Sequence, residues 1–555
     1  MTDYEKILYS TFKEAIGKGY KGAMSAAIFN ENGLLYSLHC GHADKAAAKK
    51  ADDDTLFMVG SNTKILTVLG LFRLYEEGKL SLDDPLTRFI PEFTVKSRFQ
   101  TRPITIADLM MHRAGIQCDL YEYMSGNVHR YTDIIPAFRE TYMTMEPGVM
   151  FSYSNLGYTL LGIVAERISG KSYTEFIRET VLDPLGIEAY FAMEKDLPKE
   201  IMSRAAKCYT ESGQRTYDPL GSLFPAGPCT YMTVRGLAAL GQLLLCKGRI
   251  NGRQLFRQET IELMETLRAG DEMDSQMACI GYGLYHHNLS LEYKTGRALG
   301  HGGNTVYQHS AFDFLPEEKI GVIAVSNYGP ATKLTHTVQR RIFNKWLELS
   351  GYPRKDSVEC APVITDMHGY EASYDSRFGP LHFTVENGEL FTRINDVKTR
   401  LVLMDDGWLH CEAVDEGGGL PEAAAAIKGL CLKEMPYYGR KVLFMRQDGV
   451  INAAGIAYEE VLENEEWNKA EGVYYVRNGR QKKLIGKMEL HRIDGLPVLT
   501  VYEEGNEKDY YLSCLNDREA VVKGFGRDTR QTVFLEKKNG KYRISCDGVL
   551  GIRRE

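Results

Sequence analysis

The sequence predicts an α+β segment, an antiparallel sheet flanked by helices with a helical subdomain inserted, followed by two all-β barrel domains. Three observations predict it. Strand hairpins lie near both ends of residues 1–352 with helical texture between them, and the texture changes after Gly351. From about Met367 to the end, short alternating segments broken by turns follow one another, and the pattern restarts once.

Residues 3–18 carry an amphipathic helical pattern, with Thr2 and Glu5 spaced as a capping box. Segments 23–29 and 34–39 flank Asn30-Glu31-Asn32-Gly33, the composition of a short hairpin turn. Far downstream, segments 310–315 and 320–326 flank Pro316-Glu317-Glu318-Lys319, and residues 332–349 have helical periodicity. Both ends of the segment therefore complete one sheet. Pro353 and Cys360-Ala361-Pro362 mark a linker over residues 353–366. Beyond it, Asn387-Gly388 and Asp406-Gly407 punctuate alternating strands. The stretch Gly369-Tyr370-Glu371-Ala372-Ser373-Tyr374 is echoed by Glu471-Gly472-Val473-Tyr474-Tyr475, which divides the remainder into barrels at 367–465 and 466–555.

A chain of 555 residues exceeds what one core can serve, which fits this division. A net charge of -7 with 25% charged residues excludes a nucleic-acid groove or an anionic membrane surface as the main partner and favours a small-molecule or short peptide substrate. The N-terminal residues lack the apolar stretch of a signal peptide, and no run of about 18 apolar residues occurs. A cytoplasmic protein is expected. Eleven cysteines without a CxxC pair read as reduced thiols rather than a disulfide framework. No cofactor or metal is expected: Gly-rich phosphate loops and HExxH are absent, Asp52-Asp53-Asp54 reads as a solvated loop, and His286-His287 lacks a third ligand at zinc spacing. Assembly into a homo-oligomer is left open.

The chemistry begins with Ser-x-x-Lys, a spacing that puts a nucleophile and its base on one helical face. About two such matches arise by chance in a chain this long, and two occur, Ser10 with Lys13 and Ser61 with Lys64. Context separates them. Ser10 sits inside the amphipathic N-terminal helix. Ser61 opens an apolar run through Ile65, Leu66, Val68, Leu69, Leu71, Phe72 and Leu74, the sequence of a buried helix whose positive N-terminus would face the nucleophile.

A second element, Glu146-Pro147-Gly148-Val149-Met150-Phe151-Ser152-Tyr153-Ser154-Asn155-Leu156-Gly157-Tyr158, precedes a helix expected over 159–168 and stopped by Gly170. Together with Leu109-Met110-Met111-His112-Arg113-Ala114-Gly115-Ile116, it resembles the serine β-lactamase and penicillin-binding-protein superfamily, in the class C-like branch of β-lactamases, esterases and D-amino-acid peptidases. The resemblance covers residues 20–350. Tyr153-Ser154-Asn155 matches that branch's Tyr-x-Asn, and is preferred to Ser125-Gly126-Asn127, which lacks the Pro-Gly and helix framing. For the third motif two candidates compete. Lys294-Thr295-Gly296 is a literal Lys-Thr-Gly, whereas Gly300-His301-Gly302-Gly303-Asn304 matches the His-Gly-Gly variant of the esterase and D-aminopeptidase relatives. The choice falls on His301, because it directly precedes the strand hairpin and follows Gly281-Tyr282-Gly283-Leu284-Tyr285, leaving Lys294 in a turn. One departure is that Tyr307-Gln308-His309-Ser310 stands where relatives carry Gly, an aromatic and two serines, at positions expected to line the pocket mouth.

The resemblance implies an acyl-enzyme mechanism. Ser61 is the nucleophile, Lys64 its base with a pKa lowered by desolvation, and Tyr153 the proton relay. Asn155, His301 and Gly303 hold the substrate, and the amides of Ser61 and Asn304 form the oxyanion hole. The whole-chain layout resembles D-aminopeptidase, which implies a peptidase acting on small D-amino-acid amides or peptides. The alternatives are an esterase or acyltransferase with the same site, and a non-catalytic ligand-binding relative of the penicillin-binding proteins. With no second catalytic set after residue 352, the barrels are expected to restrict the substrate, so a chain ending near Gly351 would keep acylation at Ser61 with a shifted substrate preference.

Overall fold

The computed structural model describes residues 3–16, 19–99, 101–119, 131–139, 141–192, 194–217, 230–267, 279–287, 289–355, 360–376, 378–417, 419–420, 422–437, 439–447, 450–458, 464–477, 484–493, 495–503, 506–523, 530–546 and 549–553. Thr2 and Ser125-Gly126-Asn127 lie outside them.

An eight-stranded antiparallel sheet joins the two ends of the first segment: Ile320–Ser326 pairs with Ala23–Asn30, in register from Met24 opposite Ser326 to Asn30 opposite Ile320. Outward from Ala23–Asn30 lie Gly33–Asp44 and Lys49–Lys50; outward from Ile320–Ser326 lie His309–Leu315, Ala298–Asn304, Tyr285–His287 and Cys279–Ile280. Strands buried on both faces read as continuous apolar runs, as in Ala23–Asn30 and Ile320–Ser326. Alternate side chains serve two cores. Met24, Ala26, Ile28, Val322 and Ala324 meet Ile7, Leu8 and Phe12 of the Asp3–Ala15 helix and Val338, Ile342 and Phe343 of the Thr332–Leu349 helix. Ala27, Phe29, Phe312, Ile323 and Val325 face the helical region, including Leu237 and Leu244.

The C-terminal part forms two closed eight-stranded barrels. The first closes where Ala372–Ser376 pairs with Val450–Ala457, the second where Gly472–Arg477 pairs with Val549–Arg553. The sequence echo has a structural counterpart: Tyr374 and Tyr474 are buried in the first strand of each barrel. Between the barrels, Lys523 Nζ donates to both carboxylate oxygens of Asp375 at 3.0 Å.

The first barrel also shares a core with the first segment. Met145 and Met150, with Val149 at the edge, pack with Trp408, Tyr437, Val442 and Phe444, and Arg440 pairs with Glu146 at 3.3 Å. From the second barrel, Glu519 accepts from Arg98 at 3.1 Å and from the Tyr142 hydroxyl at 3.0 Å. Among the described residues no helix is long and apolar enough to cross a membrane.

Candidate active site

The Thr63–Glu76 helix is buried nearly all round, from Thr63 to Leu74 with Arg73 the exception. Its N-terminus runs back into a short turn, Gly60–Asn62. Ser61 lies in this turn, half-buried, while Lys64 is fully buried one turn on. Lys64 Nζ donates to Ser61 Oγ at 3.1 Å and to Asn155 Oδ1 at 2.7 Å. The other Ser-x-x-Lys behaves as its context predicts, with the Ser10 hydroxyl bonded back to its own helix at the Lys6 and Ile7 carbonyls.

Tyr153 and Asn155 arrive from the second motif on either side of a helix cap. The helix spans Asn155–Ser169 rather than beginning at 159, because the Ser154 hydroxyl accepts from the Gly157 amide at 2.9 Å and so starts the helix four residues earlier. Capping fixes the two side chains one residue apart on opposite sides of Ser154. The Tyr153 ring lies 4.9 Å from Lys64 Nζ and packs on the ring of His112, with ring centroids 4.1 Å apart. His112 holds a left-handed backbone conformation (φ 53°), and its Nδ1 accepts from the Ser154 amide at 2.9 Å. A neutral His112 accepting at Nδ1 carries its proton on Nε2.

The third motif is the strand Ala298–Asn304. His301 is buried, its ring 4.9 Å from that of Tyr285 and 6.3 Å from that of Tyr153. The strand and the nucleophile turn touch backbone to backbone. A Cβ on Gly303 would stand 1.9 Å from the Val59 carbonyl oxygen, and one on Gly60, at φ 56°, would stand 2.8 Å from the Asn304 amide nitrogen. Any side chain at either position would wedge the turn off the strand. Ser310 clamps the contact: its hydroxyl donates to the Val59 carbonyl at 2.7 Å and accepts from Asn62 Nδ2 at 2.7 Å.

Lys294 is elsewhere, exposed and ahead of the strand, with its amide bonded to the Pro353 carbonyl at 2.8 Å. Gln308 and Ser310 turn their polar groups inward to the backbone rather than toward a pocket mouth. Gln308 Oε1 accepts from the Met58 amide at 3.0 Å and its Nε2 donates to the Ala206 carbonyl at 3.3 Å. These residues hold the strand hairpin and the strand before Ser61 together. Burial pushes His309 down to about 4, so its ring is neutral at pH 7. With Nε2 donating to the Gly329 carbonyl at 2.7 Å, Nδ1 accepts, and the Thr332 hydroxyl 3.0 Å away can donate to it.

On the face opposite His301, Gly300 pairs with Asp313, whose carboxyl is fully buried against the Thr332–Leu349 helix, with His336 and Gln339 facing it. Burial raises its pKa from 3.8 to about 7. The folded chain thus binds this proton more tightly than the unfolded one, and the resulting stability, present at low pH, is lost as pH rises from about 4 through about 7. Asp313→Asn removes the titration, so the variant's Tm relative to wild type should climb from about pH 5 to about pH 8 in thermal melts. A difference that stays constant over that range would show that Asp313 does not titrate there.

Sequence reasoning missed Asp119, whose Oδ1 accepts from Asn155 Nδ2 at 2.8 Å, and gave no role to His112. For metals, one group among the described residues, Cys360, Asp406 and His410, brings ligand-type atoms within 4.8 Å of one another. It belongs to the linker and first barrel, and Arg446 donates to Asp406 at 2.5 Å and lies 3.4 Å from His410 Nε2. A guanidinium already meets the carboxylate there.

Several known proteins are similar to this chain. A family model described as Beta-lactamase matches residues 10–344. Protein flp of Staphylococcus aureus is 28% identical over 185 residues, 33% of this chain and 37% of that protein, so the chain spans well under half the length of this relative. Among solved structures, SurE covers 82% of this chain and 99% of its own at 22% identity and a TM-score of 0.58. The octameric penicillin-binding protein homologue from Pyrococcus abyssi covers 99% of both chains at 19% identity and a TM-score of 0.51. These structural likenesses establish the fold.

Proposed function

For this chain, which belongs to the β-lactamase family within the β-lactamase and penicillin-binding-protein superfamily of serine hydrolases, we propose a D-aminopeptidase-like activity on amides or short peptides of small D-amino acids. The observation that carries it is the Lys64 amine, buried and bonded at once to Ser61 Oγ and Asn155 Oδ1. In this reading Lys64 takes the Ser61 proton as Ser61 Oγ bonds to the substrate carbonyl carbon. Charge on the carbonyl oxygen is met by the amides of Ser61 and Asn304, the latter beside the nucleophile turn. The proton reaches the leaving amine through Tyr153, the C–N bond breaks, and water releases the acyl group from Ser61.

The His301 ring lies 6.3 Å from that of Tyr153, and in this reading it contacts the substrate. SurE, solved also with D-Leu, is a fold relative whose D-amino-acid ligand fits the proposed substrate class. Turnover of paired D- and L-alanine nitroanilides beside short-chain nitrophenyl esters tests the reading. Selective hydrolysis of the D-nitroanilide is expected. Hydrolysis of esters alone would replace it with an esterase or acyltransferase, and failure of a fluorophosphonate to label Ser61 would leave a ligand-binding protein. The strand assignment has its own test. His301→Ala should lower kcat/KM by about 100-fold, the scale of a lost substrate-contacting donor, whereas Lys294→Ala, at an exposed position, should stay within about 2-fold. Equal losses would return the third motif to Lys294.

A further inference from the structure

His112 follows a five-residue helix, Ile106–Met110, whose start Thr105 and Asp108 cap reciprocally. Its backbone then turns left-handed, at φ 53°, and its side chain is buried. A residue with a β-carbon is strained in that conformation and keeps it only where its surroundings hold it. They do so here: the His112 carbonyl accepts from the Ser152 amide at 2.7 Å, and its Nδ1 accepts from the Ser154 amide at 2.9 Å. One residue thus grips the chain immediately before and immediately after Tyr153. The preceding helix adds a third tie, because the Met110 carbonyl accepts from the Tyr158 hydroxyl at 2.7 Å.

The imidazole lies against the rings of both tyrosines. Its centroid is 4.1 Å from that of Tyr153, tilted by 31°, and 4.9 Å from that of Tyr158, tilted by 35°. Lys64 Nζ stands over the same two rings, at 4.9 Å and 5.5 Å from their centroids. A stacked ring restricts the tilt of its partner, and a phenol that passes a proton must stand within hydrogen-bond reach of the groups it serves. The contact with His112 therefore bears on where the Tyr153 hydroxyl sits relative to the amine.

We infer that His112 is a positioning residue for Tyr153, its ring holding the phenol beside the Lys64 amine so that a proton can pass to the leaving group. This role deepens the mechanism proposed above and rests on Tyr153 as its relay. An anilide nitrogen must be protonated as the C–N bond breaks, whereas nitrophenoxide leaves as an anion. The ratio of kcat/KM for D-alanine nitroanilide over D-alanine nitrophenyl ester therefore reads the relay. In the full chain, Tyr153→Phe should lower that ratio by about 100-fold, the lower end of what a proton-transferring group contributes. His112→Asn keeps an acceptor for the Ser154 amide and tolerates the left-handed backbone, but removes the ring. Its Tm should stay near wild type while the ratio falls by about 10-fold, a part of the Tyr153 effect. His112→Phe does the reverse: the Ser154 amide loses its acceptor, so Tm falls, while the ring stays and the ratio holds. Combining His112→Asn with Tyr153→Phe should lower the ratio no further than Tyr153→Phe alone. If the ratio follows Tm across the two His112 variants, or the double variant loses both factors, His112 only supports the fold and the positioning role fails. An unchanged ratio in Tyr153→Phe removes the relay itself. If the nitroanilide is not turned over, the peptidase reading falls, and the D-alanine ethyl ester against the nitrophenyl ester still decides the role of His112, because an alkoxide also leaves with a proton. No turnover of any of the three overturns both.

Discussion

Ser61→Ala is expected to abolish turnover while leaving the fold intact. Ser61 is the hydroxyl that Lys64 meets at its own helix terminus: the amine bonds to Ser61 Oγ and Asn155 Oδ1, and Thr63, its neighbour in the chain, directs its own hydroxyl to the Gly60 carbonyl and Thr230. Loss of a nucleophile that acts with its base as one unit costs on the order of a million-fold in kcat. Stability should change little, because Ser61 is only half-buried and the turn is fixed by Ser310, Asn62 and the Gly60 contact rather than by the Ser61 hydroxyl. A nitrophenyl ester assay together with a thermal melt measures both halves. Mass spectrometry of wild type after a slow acyl donor should find the adduct on the Ser61 peptide and none on the variant. An adduct at Ser10, or retained turnover, would remove Ser61 from the mechanism.

What the sequence made legible is what short spacings encode. Ser61 with Lys64, and Tyr153 with Asn155, are separated by one helical turn or less, so local geometry alone brings each pair together. The Thr332–Leu349 helix was equally plain, because an unbroken apolar stripe defines its length. Where a single side chain overrode periodicity, reading failed: the Ser154 cap moves the start of the next helix to Asn155, four residues before its apolar pattern suggests. Long-range partners left no trace at all. Asp119 reaches Asn155 only because Cys118 docks on a helix 37 residues later in the chain, and nothing in the residues near Asp119 announces that contact. Gln308 and Ser310 look like pocket residues from their place beside the His301 motif, yet the register of Gly303 opposite Ser310 turns Ser310 inward onto Val59.

The barrels bear on the second large prediction, for a chain ending at Gly351. From the sequence they are expected to gate the substrate, but their contacts add a mechanical role. The segment carrying Met145 and Met150 leads within three residues to Tyr153, and its apolar side is buried under Trp408, Tyr437 and Phe444 of the first barrel, with Glu146 tied to Arg440. Removing the barrels would expose both methionines to water and free the strap on which Tyr153 is carried. Tyr142, just upstream of that strap, and Arg98, which lies over its ring, would lose Glu519 as well. A support role predicts that acylation at Ser61 slows for every acyl donor by a common factor and that Tm falls, whereas a gate predicts a changed ranking of donors at undiminished rate. Trp408→Ala in the full chain separates support from simple loss of the barrels: burying no ring against Met145 and Met150, it should cost about 3–5 kcal/mol of stability, and it should slow acylation with the donor ranking kept. Because Tyr153 serves every substrate alike, the shared core predicts the common factor as the larger effect; a soluble truncated chain acylated at the full rate would show that the strap holds its place without the barrel.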